Sequence, residues 1–161
     1  MKTILQIVVP VCFVLAGVAV LAGNESFRVH AKTPACRVAV LRGGYGAGTT
    51  GLINSSSNAN DITIPSFVPF AEAAYFLFDG HGNLSGSSSV TFGGIVSAVT
   101  FTGSYTVNAN CTGSMTVETS DGDSVHRNLI IVDDGKEVEF VSTDPGVVIA
   151  GYLKKQHADG E

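Results

Sequence analysis

AEAAYFLFDGHGNLSGSSSVTFGGIVSAVTFTGSYTVNANCTG, residues 71 to 113, reads as β-strands laid end to end. An apolar run at 75–78 meets Asp79-Gly80-His81-Gly82-Asn83, a strand follows at 84–92, Gly93-Gly94 reverses the chain, and another strand runs over 99–107. Asp-Gly closing an apolar run is a strong hairpin signal, because glycine adopts φ > 0 without steric penalty. Alternation supports the reading. Leu84, Gly86, Ser88, Val90 and Phe92 share one face of their strand, and Ser85, Ser87, Ser89 and Thr91 the other. That second set is wholly hydroxyl, so it meets solvent or lines a wet cavity. Val99, Phe101, Gly103, Tyr105 and Val107 likewise oppose Thr100, Thr102, Ser104 and Thr106. Residues 71–74 have helical propensity by themselves. Tyr75-Phe76-Leu77-Phe78 and the turn behind them place the segment in a strand.

The same signals continue on both sides. Residues 36–41 (CRVAVL) alternate and are expected to form a first strand. Residues 43–51 are glycine-rich, which in a strand marks sharp coiling or close backbone approach. Residues 54–61 form a polar loop, and 62–69 are extended, with Pro65 and Pro69 suiting a sheet edge or a connection. Beyond the opening stretch, strands are expected at 112–119, 124–133, 136–142 and 147–155, separated by Asp121-Gly122-Asp123, Asp134-Gly135 and Asp144-Pro145-Gly146. No amphipathic helix intervenes. The pattern predicts an all-β fold, an antiparallel meander closing into a roughly eight-stranded barrel, with a two-sheet β-sandwich as the alternative. Closure removes the edges an exported sheet would expose. An eight-stranded barrel is either filled by side chains or just wide enough for one small ligand.

The N-terminus explains why export is expected. Lys2 precedes an apolar run ending in Val20-Leu21-Ala22, as in a secretory signal peptide cleaved after Ala22. Val29-His30-Ala31 offers a second cut, and an uncleaved anchor is the competing reading. Asn24 stands where a lipoprotein would carry cysteine. The organisation is then leader 1–22, linker 23–35, a single barrel domain 36–155 and tail 156–161, in a secreted or periplasmic protein. The chain's net charge is −5, and loss of Lys2 makes it more negative. That argues against nucleic acid, and against an anionic membrane once the leader is gone. Cys12 leaves with the leader, so Cys36 and Cys111 remain to pair, two buried thiols being the alternative. The bridge would close a loop of about 75 residues, worth about 4 kcal/mol on the chain-entropy account.

Three segments carry a family resemblance: FDGHGNLSG at 78–86, TGSYTVNANCTGSMTV at 102–117 and STDPGVVIAGYLKKQ at 142–156. They resemble a group of small exported bacterial β-barrel proteins without an assigned activity, over about residues 43 to 155. These motifs are mostly turn and barrel residues, so they mark kinship more than chemistry. The group is similar in architecture to lipocalin-like and allene-oxide-cyclase-like barrels. The resemblance transfers no catalytic residue.

No motif supplies a catalytic site, a metal or a cofactor. Gly46-Ala47-Gly48-Thr49-Thr50-Gly51 fits G-x-G-x-x-G literally, but no helix follows to hold a pyrophosphate. Asp79 with Asn83, Asp121 with Asp123, and Asp133-Asp134 are fragments too short for a calcium loop. No serine stands in a nucleophile elbow. The N-x-S/T sequons at Asn24, Asn54, Asn83 and Asn110 are read as unglycosylated, given the bacterial resemblance. His81, His126, Glu118, Glu137 and Glu139 are the one acid–base set. Strand parity adds a condition: if Leu129 and Ile131 face inward, so does Arg127, which would need a carboxylate partner or would anchor a ligand; if Ile130 and Val132 face inward, so do His126 and Asn128. The leading expectation is a non-catalytic binding module holding a small apolar ligand among Phe76, Phe78, Phe92, Phe101, Tyr105, Arg127 and Phe140. The alternatives are a filled barrel that acts through its Ser/Thr-rich outer faces, and a cyclase- or isomerase-like enzyme with a His or Glu converging in a cavity. Oligomeric state is left open.

Overall fold

The computed structural model describes residues 35–54 and 66–156. The expected leader 1–22, the expected linker up to residue 34, the segment 55–65 and the residues from 157 onward lie outside the described residues.

Eight antiparallel strands form a closed barrel in the order β1-β2-β3-β4-β5-β6-β7-β8. They are β1 Arg42–Asn54, β2 Phe67–Asp79, β3 Asn83–Phe92, β4 Ile95–Val107, β5 Thr112–Thr119, β6 Ser124–Val132, β7 Glu137–Ser142 and β8 Val147–Lys155. Every strand pairs with its sequence neighbour, and β1 closes against β8 from Tyr45 opposite Lys155 to Ile53 opposite Val147. The expected meander barrel is therefore present, and the sandwich alternative is not.

Turn chemistry sets the registers. Gly93 and Gly94 both take positive φ (56° and 89°), which lets two residues reverse the chain between Phe92 and Ile95. At the β2–β3 turn, one Asp79 carboxylate oxygen accepts the N–H groups of His81 (2.7 Å) and Asn83 (3.0 Å), and the other accepts Asn83 Nδ2 (2.6 Å). Donation from the Asn83 side chain, then from the His81 and Asn83 backbone, lowers this carboxyl to about 2. This Asp/Asn fragment thus spends both carboxylate oxygens on its own turn.

Residues 36–41 are not a strand. Val38–Val40 is a single 3-10 turn, and Leu41, wholly buried, plugs one end of the barrel. The Cys36–Cys111 disulfide ties this plug to the β4–β5 turn, with Cα atoms 5.0 Å apart. Tertiary contacts override the local alternation here. The Tyr105 hydroxyl lies 2.8 Å from the Leu41 carbonyl and donates to it. The first strand is instead the glycine-rich segment. Two of its outward glycines lie beneath aromatic side chains, Gly44 under Tyr75 and Gly48 under Tyr152: a Cβ on Gly48 would come within 2.9 Å of the Tyr152 hydroxyl. Pro69 stands inside β2, beyond the β2–β3 ladder that ends at Phe70 opposite Phe92, so its missing N–H breaks no bond on that side.

The interior is a layered core. Leu41, Tyr45, Phe76, Phe78, Leu84, Tyr105, Met115, Leu129, Val138 and Leu153 fill the plugged half. Phe78 meets Tyr45 and Tyr105 edge-on, at 5.2 and 5.0 Å between ring centres. Inward by alternation, position 86 is glycine: a Cβ there would collide with the Phe101 ring and the Tyr75 carbonyl. The Tyr45 hydroxyl donates to the Gly135 carbonyl at 2.6 Å, and burial, then the neighbouring Tyr105, pushes it up to about 12.

Candidate functional site

The packed layers stop at mid-barrel. On the far side, the same inward positions enclose a cavity of about 540 Å³ that opens at the end carrying the β3–β4, β5–β6 and β7–β8 turns. The chain leaves β1 at Asn54 and enters β2 at Phe67 at this same end. The walls are Phe70, Val90, Val99, Phe101, Val117 and Ile149, with Ser88, Ser97 and Thr119 between them. Strand alternation makes this lining. Glu72 is opposite Val90, Ser88 is opposite Val99, and Gly103 is opposite Val117. Small inward residues near this end leave a space that the rings of the other half would fill.

The floor carries charge. Arg127 of β6 projects inward with Leu129 and Ile131, and its partner is Glu72 of β2, at 3.3 Å between Nη2 and Oε2. Their side chains are 5% and 7% exposed. Phe140 supports the guanidinium face at 4.6 Å, and Phe76 lies 5.9 Å away. Burial draws the Arg127 guanidinium below its ordinary value, while the Glu72 carboxylate and then Asp144 work the other way. Arginine nevertheless stays charged in proteins. Only one edge of the fork is engaged. Among the described residues, no acceptor lies within hydrogen-bonding distance of Arg127 Nε or Nη1, and the buried Thr49 hydroxyl is equally unpaired.

The mouth is acidic on one side. Asp121, Asp123 and Asp144 line it. Asp144 Oδ2 accepts the His126 backbone N–H at 2.8 Å, and Oδ1 lies 2.7 Å from His126 Nδ1. Partial burial pushes the Asp144 carboxyl up, but His126 and the Ser142 hydroxyl outweigh it and hold it below its usual range. Ile95 and Val96, at the β3–β4 turn, and Val148, at the start of β8, are exposed apolar side chains at this end.

Of the side chains expected to hold a ligand, Phe92, Phe101 and Arg127 line the cavity. Phe140 supports Arg127, whereas Phe76, Phe78 and Tyr105 belong to the packed core. The proposed acid–base set does not converge. His81 contacts its own turn, His126 sits outside on Asp144, Glu118 accepts from Ser124 Oγ at 2.9 Å, and Glu137 pairs with Lys154. Glu139 is exposed. Among the described residues no three metal-ligating side chains cluster, and no helix is long and apolar enough to cross a membrane. Glu72 was missing from the expected site. Its parity with Phe70, Phe76 and Phe78 was the available signal, since an inward carboxylate calls for an inward cation.

The fold and cavity define an antiparallel eight-stranded meander barrel with one plugged and one open end. No family model and no curated protein matches the chain. Among solved structures, it is similar to a redesigned β-barrel (TM-score 0.48, 17% identity, covering 76% of this chain and 97% of that one). It is also similar to the redesigned barrel mFAP1 bound to DFHBI (TM-score 0.48, 14% identity, 74% and 100%). A de novo designed fluorescence-activating β-barrel gives TM-score 0.47 at 15% identity, covering 74% and 96%. At these identities the likeness is one of fold alone.

Proposed function

We propose that this chain is an exported, non-catalytic binding protein that holds a small, mostly apolar molecule in the open half of its barrel. The carrying observation is the half-filled interior: a cavity of about 540 Å³, walled by apolar side chains and continuous with solvent, above a packed floor. Ligand sites have this character, concave and mostly apolar with a few placed polar groups. The Cys36–Cys111 bridge supports an oxidising compartment, in keeping with the signal-like N-terminus. The enzyme reading gains less. Glu72 is in the cavity, but its carboxylate is engaged by Arg127 and neither described histidine faces it.

Native and denaturing mass spectrometry of the protein isolated from exporting cells tests the proposal. The expected result is a discrete small-molecule increment in the native spectrum that disappears on denaturation, and that Val90→Trp, which fills the cavity, abolishes. A native mass equal to that of the processed chain, together with no uptake of apolar fluorophores, would overturn it.

A further inference from the structure

Building on the binding reading above, we infer that the ligand is an uncharged apolar molecule bearing a carbonyl oxygen, and that this oxygen is buried against Arg127. Two independent features lead there. The first is the unused donor capacity of the floor. Arg127 is 5% exposed, yet Nε and Nη1 find no acceptor among the described residues, and Glu72 touches only Nη2. A buried donor left without a partner costs free energy, more so when the donor is charged. Arg127 lines the cavity, so the missing acceptor is to be sought there.

The second feature fixes the acceptor's charge. Among the described residues, the only cation lining the cavity is Arg127, against Glu72 at its side and Asp121, Asp123 and Asp144 at the mouth. The guanidinium is already neutralised by its partner. A carboxylate or phosphate head would pass three acidic side chains and then displace or crowd Glu72 in a low-dielectric site. A ketone, aldehyde, ester or quinone oxygen accepts the same N–H groups without that repulsion. The apolar walls take the remainder of the molecule, and Phe101 offers an aromatic surface beside it. A fatty acid is therefore disfavoured by this charge arrangement.

The test uses three probes of one skeleton: 2-acetylnaphthalene, 2-ethylnaphthalene and 2-naphthoate. Each is titrated into the full processed protein by calorimetry. The acetyl compound is expected to bind roughly tenfold to hundredfold more tightly than the ethyl compound, the range for a hydrogen bond to a charged donor. The naphthoate is expected to be the weakest of the three. In E72Q/R127M, which removes both charges together, the ratio of acetyl to ethyl affinity should fall to about unity. Circular dichroism and thermal unfolding confirm that this variant is folded. If acetyl and ethyl bind equally in the native protein, with both donors served by water, the inference is overturned and the cavity reading stands. If naphthoate binds best, the ligand head is anionic and the inference is again overturned. If none of the three binds, the cavity reading itself fails.

Discussion

The two halves of this barrel are made by the same alternation and come out differently. In the plugged half, inward positions are occupied by Tyr45, Phe76, Phe78, Tyr105 and Leu153, each at most 4% exposed. In the open half they carry Glu72, Ser88, Ser97, Val90 and Val99, which are too short to meet across the axis. Strand number and closure are common to both, so the side chains decide: Phe70, Phe92 and Phe101 line the open half, but the short residues between them leave a cavity. An eight-stranded barrel sits at the width where that choice is available. Mid-barrel, the Glu72–Arg127 pair forms the boundary, resting on Phe140 and facing the empty side.

Substitutions in the two halves sharpen the contrast. Phe78→Ala in the plugged half should cost about 3–5 kcal/mol, as large truncations in packed cores do. Phe92→Ala at the mouth, where the ring is 38% exposed, should cost about 1 kcal/mol or less. Urea unfolding followed by near-ultraviolet dichroism measures both, and equal losses would mean that the two halves are packed alike. Next comes the boundary. Arg127→Met strands a buried carboxylate and should cost about 3 kcal/mol, the low end for a broken buried pair, because the open cavity admits water to Glu72. E72Q/R127M should recover most of that loss in the same assay. A double variant as unstable as the single one would show that the pair is held for its charge and not merely tolerated.

The smallest effect is expected at the β2–β3 turn. The folded Asp79 carboxyl stands at about 2, below its ordinary 3.8. Its contribution is therefore fully present above about pH 4 and is lost as the pH falls toward 2. Asp79→Asn should lower the midpoint slightly above about pH 4, where the carboxylate contributes, and leave it little changed near pH 2, so that the acid side of the stability curve flattens. Unfolding midpoints taken across the interval would check this, and an unchanged slope would count against the turn's role.

Much of the fold was legible because it is written in short-range signals. Period-two alternation over 84–92 and 99–107, with Gly93-Gly94 and Asp-Gly turns, needs no distant partner to be read. Parity also tied Arg127 to Leu129 and Ile131. Residues 36–41 misled because CRVAVL has strand alternation, while its actual conformation depends on Cys111 and Tyr105, both remote in sequence. The cavity was illegible for the same reason. Whether Phe101 and Phe76 fill the axis or line a void depends on which rings meet across the barrel, and theirs stand 4.6 Å apart at the boundary. Glu72 was hidden by the helical look of its Ala-rich neighbours.

The β1–β8 ladder joins the first strand of the barrel to the last. Its pairings are among the most distant in sequence that the fold contains, so loop-closure entropy falls mainly on this seam. The seam cannot form until Val147–Lys155 has been delivered. Until then β1 and β7 present open edges, the condition in which strands pair with the wrong chain. Folding should therefore be zipped from neighbour to neighbour and finished at the seam, which makes the C-terminal strand the timer of the process. Truncation within it would leave a sheet with two sticky margins rather than a slightly shorter barrel.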